Sequence, residues 1–168
     1  VKNQYMASEI SFWDDSLTVN KKWLLGFCRL MVNRKIDLVW SCYSRVDTID
    51  QEMLFWMKKA GCWNIFYGLE SGNQELLDLI GKNITLEQIK KAVFLTKDAG
   101  IEVRASFMIA LPKETPQMAQ KTIDFAISLD PDYAQFCITT PFPHTRLAQD
   151  AKKYGHIFND YKRYNVWE

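Results

Sequence analysis

The feature that most constrains this chain is the position of its polar residues: five short apolar runs of β-type each end on carboxylates, a guanidinium or hydroxyls, and each is followed by a helical pattern. The runs are residues 9–13, 38–43, 64–68, 103–110 and 134–139. Their starts recur roughly every 25 to 40 residues, the size of a βαβ unit. They are rich in apolar residues with little clean alternation, as expected of parallel strands covered by helices. The reading is therefore α/β with right-handed crossovers.

The intervening helices carry their own punctuation. Thr18 or Asn20 is placed to cap a helix whose apolar stripe is Trp23, Leu24, Phe27, Leu30 and Met31. Asp50 is a natural N-cap, with Ile49 and Leu54 in hydrophobic-staple positions, and Gly61 follows as a left-handed stop. A short helix is expected over 74–80. Thr85 and Gln88 are in capping-box register for the next, which ends at Gly100. Thr115 caps a helix with Pro116 at its first position, where a missing N–H costs nothing, and a final helix is expected over 145–154.

Barrel and open sheet differ in what the strand ends do. A dinucleotide-binding open sheet needs a Gly-rich turn after its first strand, and Trp13-Asp14-Asp15-Ser16 has no glycine. Asp14 and Asp15, Arg45 and Asp47, Glu70 and Ser71, Glu114, and Thr139 and Thr140 instead mark the C-terminal end of every strand. In a barrel all of these converge on one rim. The expected architecture is a partial TIM-type parallel (β/α) barrel over residues 1–155, with a C-terminal tail, 156–168, left unplaced.

Composition narrows the partners. A net charge of +1, with basic residues scattered in pairs such as Lys58 and Lys59, gives no electrostatic footprint for nucleic acid. No stretch approaches the roughly 18 consecutive apolar residues of a membrane span. The first ten residues contain neither a basic n-region nor an apolar h-region. They also lack an initiator Met and run straight into a strand, as in a chain excised from something longer. Cys28, Cys42, Cys62 and Cys137 are 14, 20 and 75 residues apart, which matches no zinc or ferredoxin spacing. They read as reduced, mostly buried thiols of a cytoplasmic protein.

The strand ends carry a family resemblance. Ile10-Ser11-Phe12-Trp13-Asp14-Asp15-Ser16-Leu17-Thr18 resembles the second-strand motif of radical S-adenosylmethionine (SAM) enzymes of the cobalamin-binding branch. Trp40-Ser41-Cys42-Tyr43-Ser44-Arg45-Val46-Asp47 is similar to the third, and Gly68-Leu69-Glu70-Ser71-Gly72 closes a segment like the fourth. Phe107-Met108-Ile109-Ala110-Leu111-Pro112-Lys113-Glu114-Thr115 resembles the fifth, and Pro141-Phe142-Pro143-His144-Thr145 the sixth. Within that branch the resemblance is to anaerobic magnesium-protoporphyrin IX monomethyl ester oxidative cyclases.

The resemblance implies about five units of a (β/α)6 barrel and a parent enzyme that cleaves SAM reductively to a 5′-deoxyadenosyl radical. It implies a [4Fe–4S] cluster on a CxxxCxxC loop that is absent from this chain, so the chain alone is expected to be inactive. It also implies cobalamin on an upstream domain, and a small-molecule substrate such as a tetrapyrrole. The SAM-contacting set it implies is Asp14 or Asp15 for the amino group, Arg45 for the carboxylate, Glu70 with Ser71 for the ribose, and Ile109 and Ala110 flanking adenine.

Each assignment has a plainer competitor. Asp15 or Ser16 could cap the following loop, Arg45 could pair with Asp47, Ser71 or Asn73 could cap a helix, and 109–112 could be ordinary core. Gly68 and Gly72 would let the backbone approach a ligand. The family commonly has glycine where this chain has Ala110, Lys113 and His144; Ala110 is a small change that still allows a ligand near the backbone, while Lys113 and His144 put side chains in tight turns where positive φ is costly. His144 reads as a surface loop residue. Two other functions stand beside the enzyme reading: a catalytically inactive barrel scaffold, and an unrelated TIM-barrel lyase or hydrolase using Asp14 or Glu70 as acid–base. An incomplete barrel leaves a sheet edge open, so self-association is expected.

Overall fold

A computed structural model describes residues 2–155. The element order is α1 (Lys2–Tyr5), β1 (Glu9–Phe12), α2 (Lys21–Asn33), β2 (Val39–Ser44), α3 (Gln51–Lys59), β3 (Cys62–Glu70), α4 (Gln74–Leu79), α5 (Leu86–Asp98), β4 (Glu102–Ile109), α6 (Pro116–Leu129), β5 (Tyr133–Ile138) and α7 (Arg146–Asp150). Each expected strand is present to within two residues at either end. The 74–80 helix is α4, and the last expected helix is the short α7 followed by a 3-10 turn, Ala151–Lys153. The C-terminal tail, 156–168, lies outside the described residues.

All five strands pair in parallel and in chain order, β1-β2-β3-β4-β5. A doubly wound sheet reverses its order at a switch point; here nothing reverses. Successive right-handed crossovers then put the connecting helices on one face, and α2, α3, α5 and α6 touch in that sequence. The sheet is an arc of a barrel wall with β1 and β5 as its two edges.

The core lies between that wall and the helices. Trp40, Ile65, Tyr67, Val103 and Phe107 from the strands meet Leu24, Leu54, Met57, Ile89 and Val93 from the helices, all at most 2% exposed. Polar atoms in this layer are paired. Trp40 Nε1 donates to Ala60 O (2.9 Å), and Tyr67 Oη meets Thr96 Oγ1 (2.9 Å), which donates to Ala92 O (2.7 Å). Burial pushes the Tyr67 hydroxyl above its usual pKa.

The caps form as the side chains dictate. Asn20 and not Thr18 caps α2, accepting from Trp23 N at 3.0 Å. Thr18 does other work: its hydroxyl lies 2.6 Å from both Ser44 Oγ and Thr48 Oγ1, pinning the β1–α2 loop to the end of β2. Asp50, Thr85 and Thr115 cap α3, α5 and α6, and the Thr85–Gln88 capping box closes in both directions. Gly61 and Gly100 have the left-handed φ that ends a helix, at 91° and 71°.

Candidate functional site at the strand-end rim

The rim is built where β2, β3 and β4 stop. Its centre is Glu70, the last residue of β3, at φ 63°. A carboxylate residue in the left-handed region is strained and persists only where surrounding contacts hold it. Two observations identify those contacts. The β3–β4 register shifts between Gly68 and Glu70, which re-aims the side chain. Lys82 Nζ then holds Glu70 Oε1 at 2.7 Å, with both side chains about one-fifth exposed (21% and 18%).

Gly68 makes room for this pair. A Cβ there would sit 2.7 Å from Glu70 Oε1 and 3.2 Å from Lys82 Nζ. Lys82 is in turn fixed by its backbone, because Arg45 Nη2 donates to Lys82 O at 3.2 Å. The rest of the Arg45 fork grips Asp47, Nε to Oδ1 at 2.9 Å and Nη2 to Oδ2 at 2.8 Å. The hydrogen bond from Arg45 holds the Asp47 carboxyl below its ordinary range, against a smaller opposing effect of burial. So Arg45, Asp47, Lys82 and Glu70 form one chain of contacts across two strand ends.

The sequence-derived residues divide into three groups. Arg45 and Glu70 are brought together through Lys82. Asp14 and Asp15 stand exposed in the loop after β1, and Ala110 is exposed just past β4 with Ile109 half-buried beside it. Ser71 is different: it is fully buried, its hydroxyl lies 3.1 Å from Thr122 Oγ1, and it accepts from Asn73 N at 3.1 Å. It faces α6 and sets the turn, so its side chain is not on the rim. Gly72 likewise serves packing, since a Cβ there would lie 2.5 Å from Phe125 Cβ and 2.9 Å from Thr122 Cα. Asn73, not Ser71, caps α4 by accepting from Glu75 N at 3.1 Å.

The loop after β4 is organised by Glu114. Its Oε2 accepts from Ala110 N and from Leu111 N (3.1 Å for the latter), while Glu114 Oε1 and Thr139 Oγ1, at neighbouring strand ends, are buried with no hydrogen-bond partner among the described residues. Ala110, Lys113 and His144 all adopt left-handed φ, at 65°, 63° and 67°. Those are the three positions where the resembled family favours glycine, and the backbone keeps the glycine conformation without the glycine.

Lys82 is the rim residue that sequence reasoning missed. It comes from the α4–α5 loop and not from a strand end, so a search of strand ends passes over it. The flanking Gly81 and Asn83, both at positive φ (69° and 54°), were the available sign of a shaped loop.

The cysteines make no metal site. Cys28, Cys42 and Cys62 are buried in the helix-facing core and Cys137 is half-buried. Burial pushes Cys28 up to about 12 and Cys62 well above the usual thiol range. Among the described residues no three His, Cys, Asp or Glu side chains gather as metal ligands. The thiolate set of a [4Fe–4S] cluster therefore does not fit the residues described. No described helix is long and apolar enough to cross a membrane.

Comparison with known proteins gives these features a context. The family model for the radical SAM superfamily matches residues 6–126. An uncharacterized methyltransferase of Pyrococcus horikoshii is 40% identical over 144 residues, covering 86% of this chain and 31% of the relative. The anaerobic magnesium-protoporphyrin IX monomethyl ester cyclase of Rubrivivax gelatinosus is 32% identical over 154 residues, covering 90% and 28%. Among solved structures, the radical SAM methyltransferase TsrM of Kitasatospora setae, with cobalamin and a [4Fe–4S] cluster bound, superposes with a TM-score of 0.80 at 20% identity, covering 90% of this chain and 32% of that one. The coproporphyrinogen III oxidase of Escherichia coli superposes at 0.72 and 20% identity, covering 84% and 34%. The chain thus spans about a third of the length of these proteins.

Proposed function

This chain belongs to the radical SAM superfamily, and on that premise we propose that its strand-end rim binds SAM as part of a longer enzyme that generates a 5′-deoxyadenosyl radical. The observation that carries the proposal is the Glu70 carboxylate, held in a strained conformation across Gly68 by Lys82 at the mouth of the barrel wall. Strain of this kind costs roughly 1–3 kcal/mol and is retained where a site needs it.

The rim suits the parts of SAM. Exposed Asp14 and Asp15 are adjacent carboxylates whose repulsion a bound ammonium would relieve. Glu70 can accept from both ribose hydroxyls, and Lys82 keeps the carboxylate aimed. Arg45 offers a guanidinium to the SAM carboxylate, in exchange with Asp47. Ile109 and exposed Ala110 offer an apolar edge to adenine. The free acceptor capacity of Glu114 Oε1 and Thr139 Oγ1 lies at the same strand ends. Ser71 supports the site from behind by fixing the turn.

When bound in the full enzyme, a [4Fe–4S] cluster would supply the electron that cleaves SAM, and its ligands would come from outside the residues described. The outcome would be cyclase-like or methyltransferase-like chemistry on a small molecule such as a tetrapyrrole, with cobalamin on a separate domain, in the cytoplasm. The domain would comprise residues 1–155, with self-association through the open β1 and β5 edges when the arc stands alone.

One observation favours an inactive scaffold instead: Arg45–Asp47 and Glu70–Lys82 already satisfy each other. Calorimetric titration of SAM separates the two. The enzyme reading expects Glu70→Gln to weaken SAM binding about tenfold, the effect of degrading hydrogen bonds to a charged acceptor. Equal affinity for the two proteins would favour the scaffold.

A further inference from the structure

Behind the end of β2 lies a small cavity of about 150 Å³. It opens between the 3-10 turn Val46–Thr48 and α5, two elements that pack directly on each other. Val46, Ile49 and Leu95 give it apolar walls, and its polar groups are Asp47 from the turn and Gln88 and Lys91 from α5. Gln88, Lys91 and Leu95 follow one another at three- and four-residue spacing, so a single stripe of α5 faces the turn.

Lys91 is the odd lysine of its helix. Lys90 pairs with Glu87 and Lys97 with Asp130, each at 2.7 Å, whereas Lys91 is exposed and pairs with no carboxylate among the described residues. Gln88 gives its Oε1 to the Thr85 backbone in the capping box, and its side-chain N–H groups have no partner among the described residues. Lys82, the other cation close to Asp47, is already taken by Glu70. Asp47 therefore borders two cations, Arg45 on the rim and Lys91 across the cavity, and holds only the first.

Arg45 is only partly committed. Its Nε and Nη2 donate to Asp47 and Nη2 also donates to Lys82 O, but Nη1 has no partner among the described residues. A ligand carboxylate can approach at Nη1 and then needs the fork that Asp47 occupies. If Asp47 stayed, two carboxylates would crowd one guanidinium and repel. If it moved out to water, its ion pair would be lost. Turning into the cavity avoids both outcomes: Arg45 passes to the ligand, Asp47 gains Lys91, and no charge is left alone.

We propose that Asp47 is a displaceable cover on Arg45 and that Lys91 is its positioning residue, receiving the Asp47 carboxylate in the cavity when a ligand carboxylate takes the guanidinium. The inference rests on the SAM reading for the identity of the ligand, and it deepens that reading by naming how the site is opened. A ligand shifts such an equilibrium only through the group that distinguishes the two states, so the cover lifts for a carboxylate and for nothing else on the molecule. The pairing of Arg45 with Asp47, which taken alone favours a scaffold, is then the closed state of the rim.

The test titrates SAM and decarboxylated SAM into the 168-residue chain by calorimetry. Asp47→Asn should tighten SAM about threefold and Lys91→Met should weaken it about threefold, the scale of an accessible ion pair. Neither should alter decarboxylated SAM, and Lys91→Arg should behave as the native chain. In the Asp47→Asn background Lys91→Met should have no effect, because Lys91 acts only through Asp47. An equal loss in both backgrounds, or an equal loss for decarboxylated SAM, would reduce Lys91 to a distant attractive charge and overturn the proposal. A second arm needs no ligand. In Arg45→Met the cover has lost its partner, so a water-soluble carbodiimide should condense the Asp47 carboxyl with Lys91 Nζ to an amide, with loss of water, found by mass spectrometry of the joined peptides and scarce in the native chain. Absence of that cross-link in Arg45→Met overturns the proposal as well. A cross-link in a chain whose native form binds no SAM sinks the SAM reading alone; SAM binding without the cross-link, and with additive substitutions, sinks this inference alone.

Discussion

The two faces of the sheet are made from the same strands and obey opposite rules. Toward the helices, β2, β3 and β4 present Trp40, Ile65, Tyr67, Val103 and Phe107, all fully buried. Toward the concave side they present Ser41, Tyr43, Asn64, Phe66, Arg104 and Ser106, which are polar or aromatic and mostly reach some solvent. The first face is apolar and filled; it accounts for why the chain folds. The second is unfilled and chemically varied, and stability does not explain its residue choices. Binding residues concentrate where a scaffold has already been stabilised elsewhere.

The sharpest way to break that comparison is to truncate one residue on each face. Leu54→Ala removes a side chain with 0% exposure from the helix layer and should cost about 2–5 kcal/mol, by lost transfer energy plus the cavity left behind. Phe66→Ala on the concave face, already half-exposed, should cost clearly less. Urea denaturation of both variants measures it, and equal losses would mean that the concave face is core after all.

A second contrast lies at one strand end. Gly68 and Gly72 are four residues apart, and both have something close to the missing Cβ. At Gly72 the obstacles are Phe125 Cβ and the Thr122 backbone, which cannot move without shifting α6. At Gly68 they are the far ends of Glu70 and Lys82, which can swing away. Gly72→Ala should therefore lose about 1–3 kcal/mol of stability by overpacking. Gly68→Ala should nearly keep its stability yet weaken SAM by displacing Glu70. Thermal melts and SAM titration on the pair check both halves; a Gly68→Ala protein with unchanged SAM affinity would sever the link between the glycine and the site.

Much of this was legible in the sequence, and the reasons differ by residue. Strand–helix alternation, the caps at Asp50, Thr85 and Thr115, and the stops at Gly61 and Gly100 are local, so short-range chemistry revealed them. Positive φ at Lys113 and His144 followed from the tight turns that the resemblance implied, whereas the same conformation at Ala110 did not. What escaped depends on contacts distant in sequence. Ser71 and Gly72 read as ligand-facing because Thr122, 51 and 50 residues away, is invisible in the motif. Lys82 reaches Glu70 from a loop. Arg104 was hidden because its strand reads as nearly continuous core, whereas the alternation of buried Val103 and Ala105 with exposed Glu102 and Arg104 shows a strand with two distinct faces.

The smallest expected effect concerns the rim's own electrostatics, at Asp47. Its folded-state pKa is lowered, first by the hydrogen bonds from Arg45, so the deprotonated form favours the fold. The sign follows from that direction. The contribution is fully present above the unfolded carboxyl value of about 3.9 and is lost as pH falls through the lower folded value. Both side chains remain partly exposed, 36% for Arg45 and 27% for Asp47, so solvent screening keeps the gain near the 0.2–1 kcal/mol typical of accessible pairs. Comparing the native chain with Asp47→Asn by urea unfolding between pH 6 and pH 2 should show a small stability gap that closes toward the acid end. A gap that widens on acidification would mean that Arg45 is held by something other than Asp47, leaving the guanidinium less free to exchange onto a ligand carboxylate than the rim geometry implies.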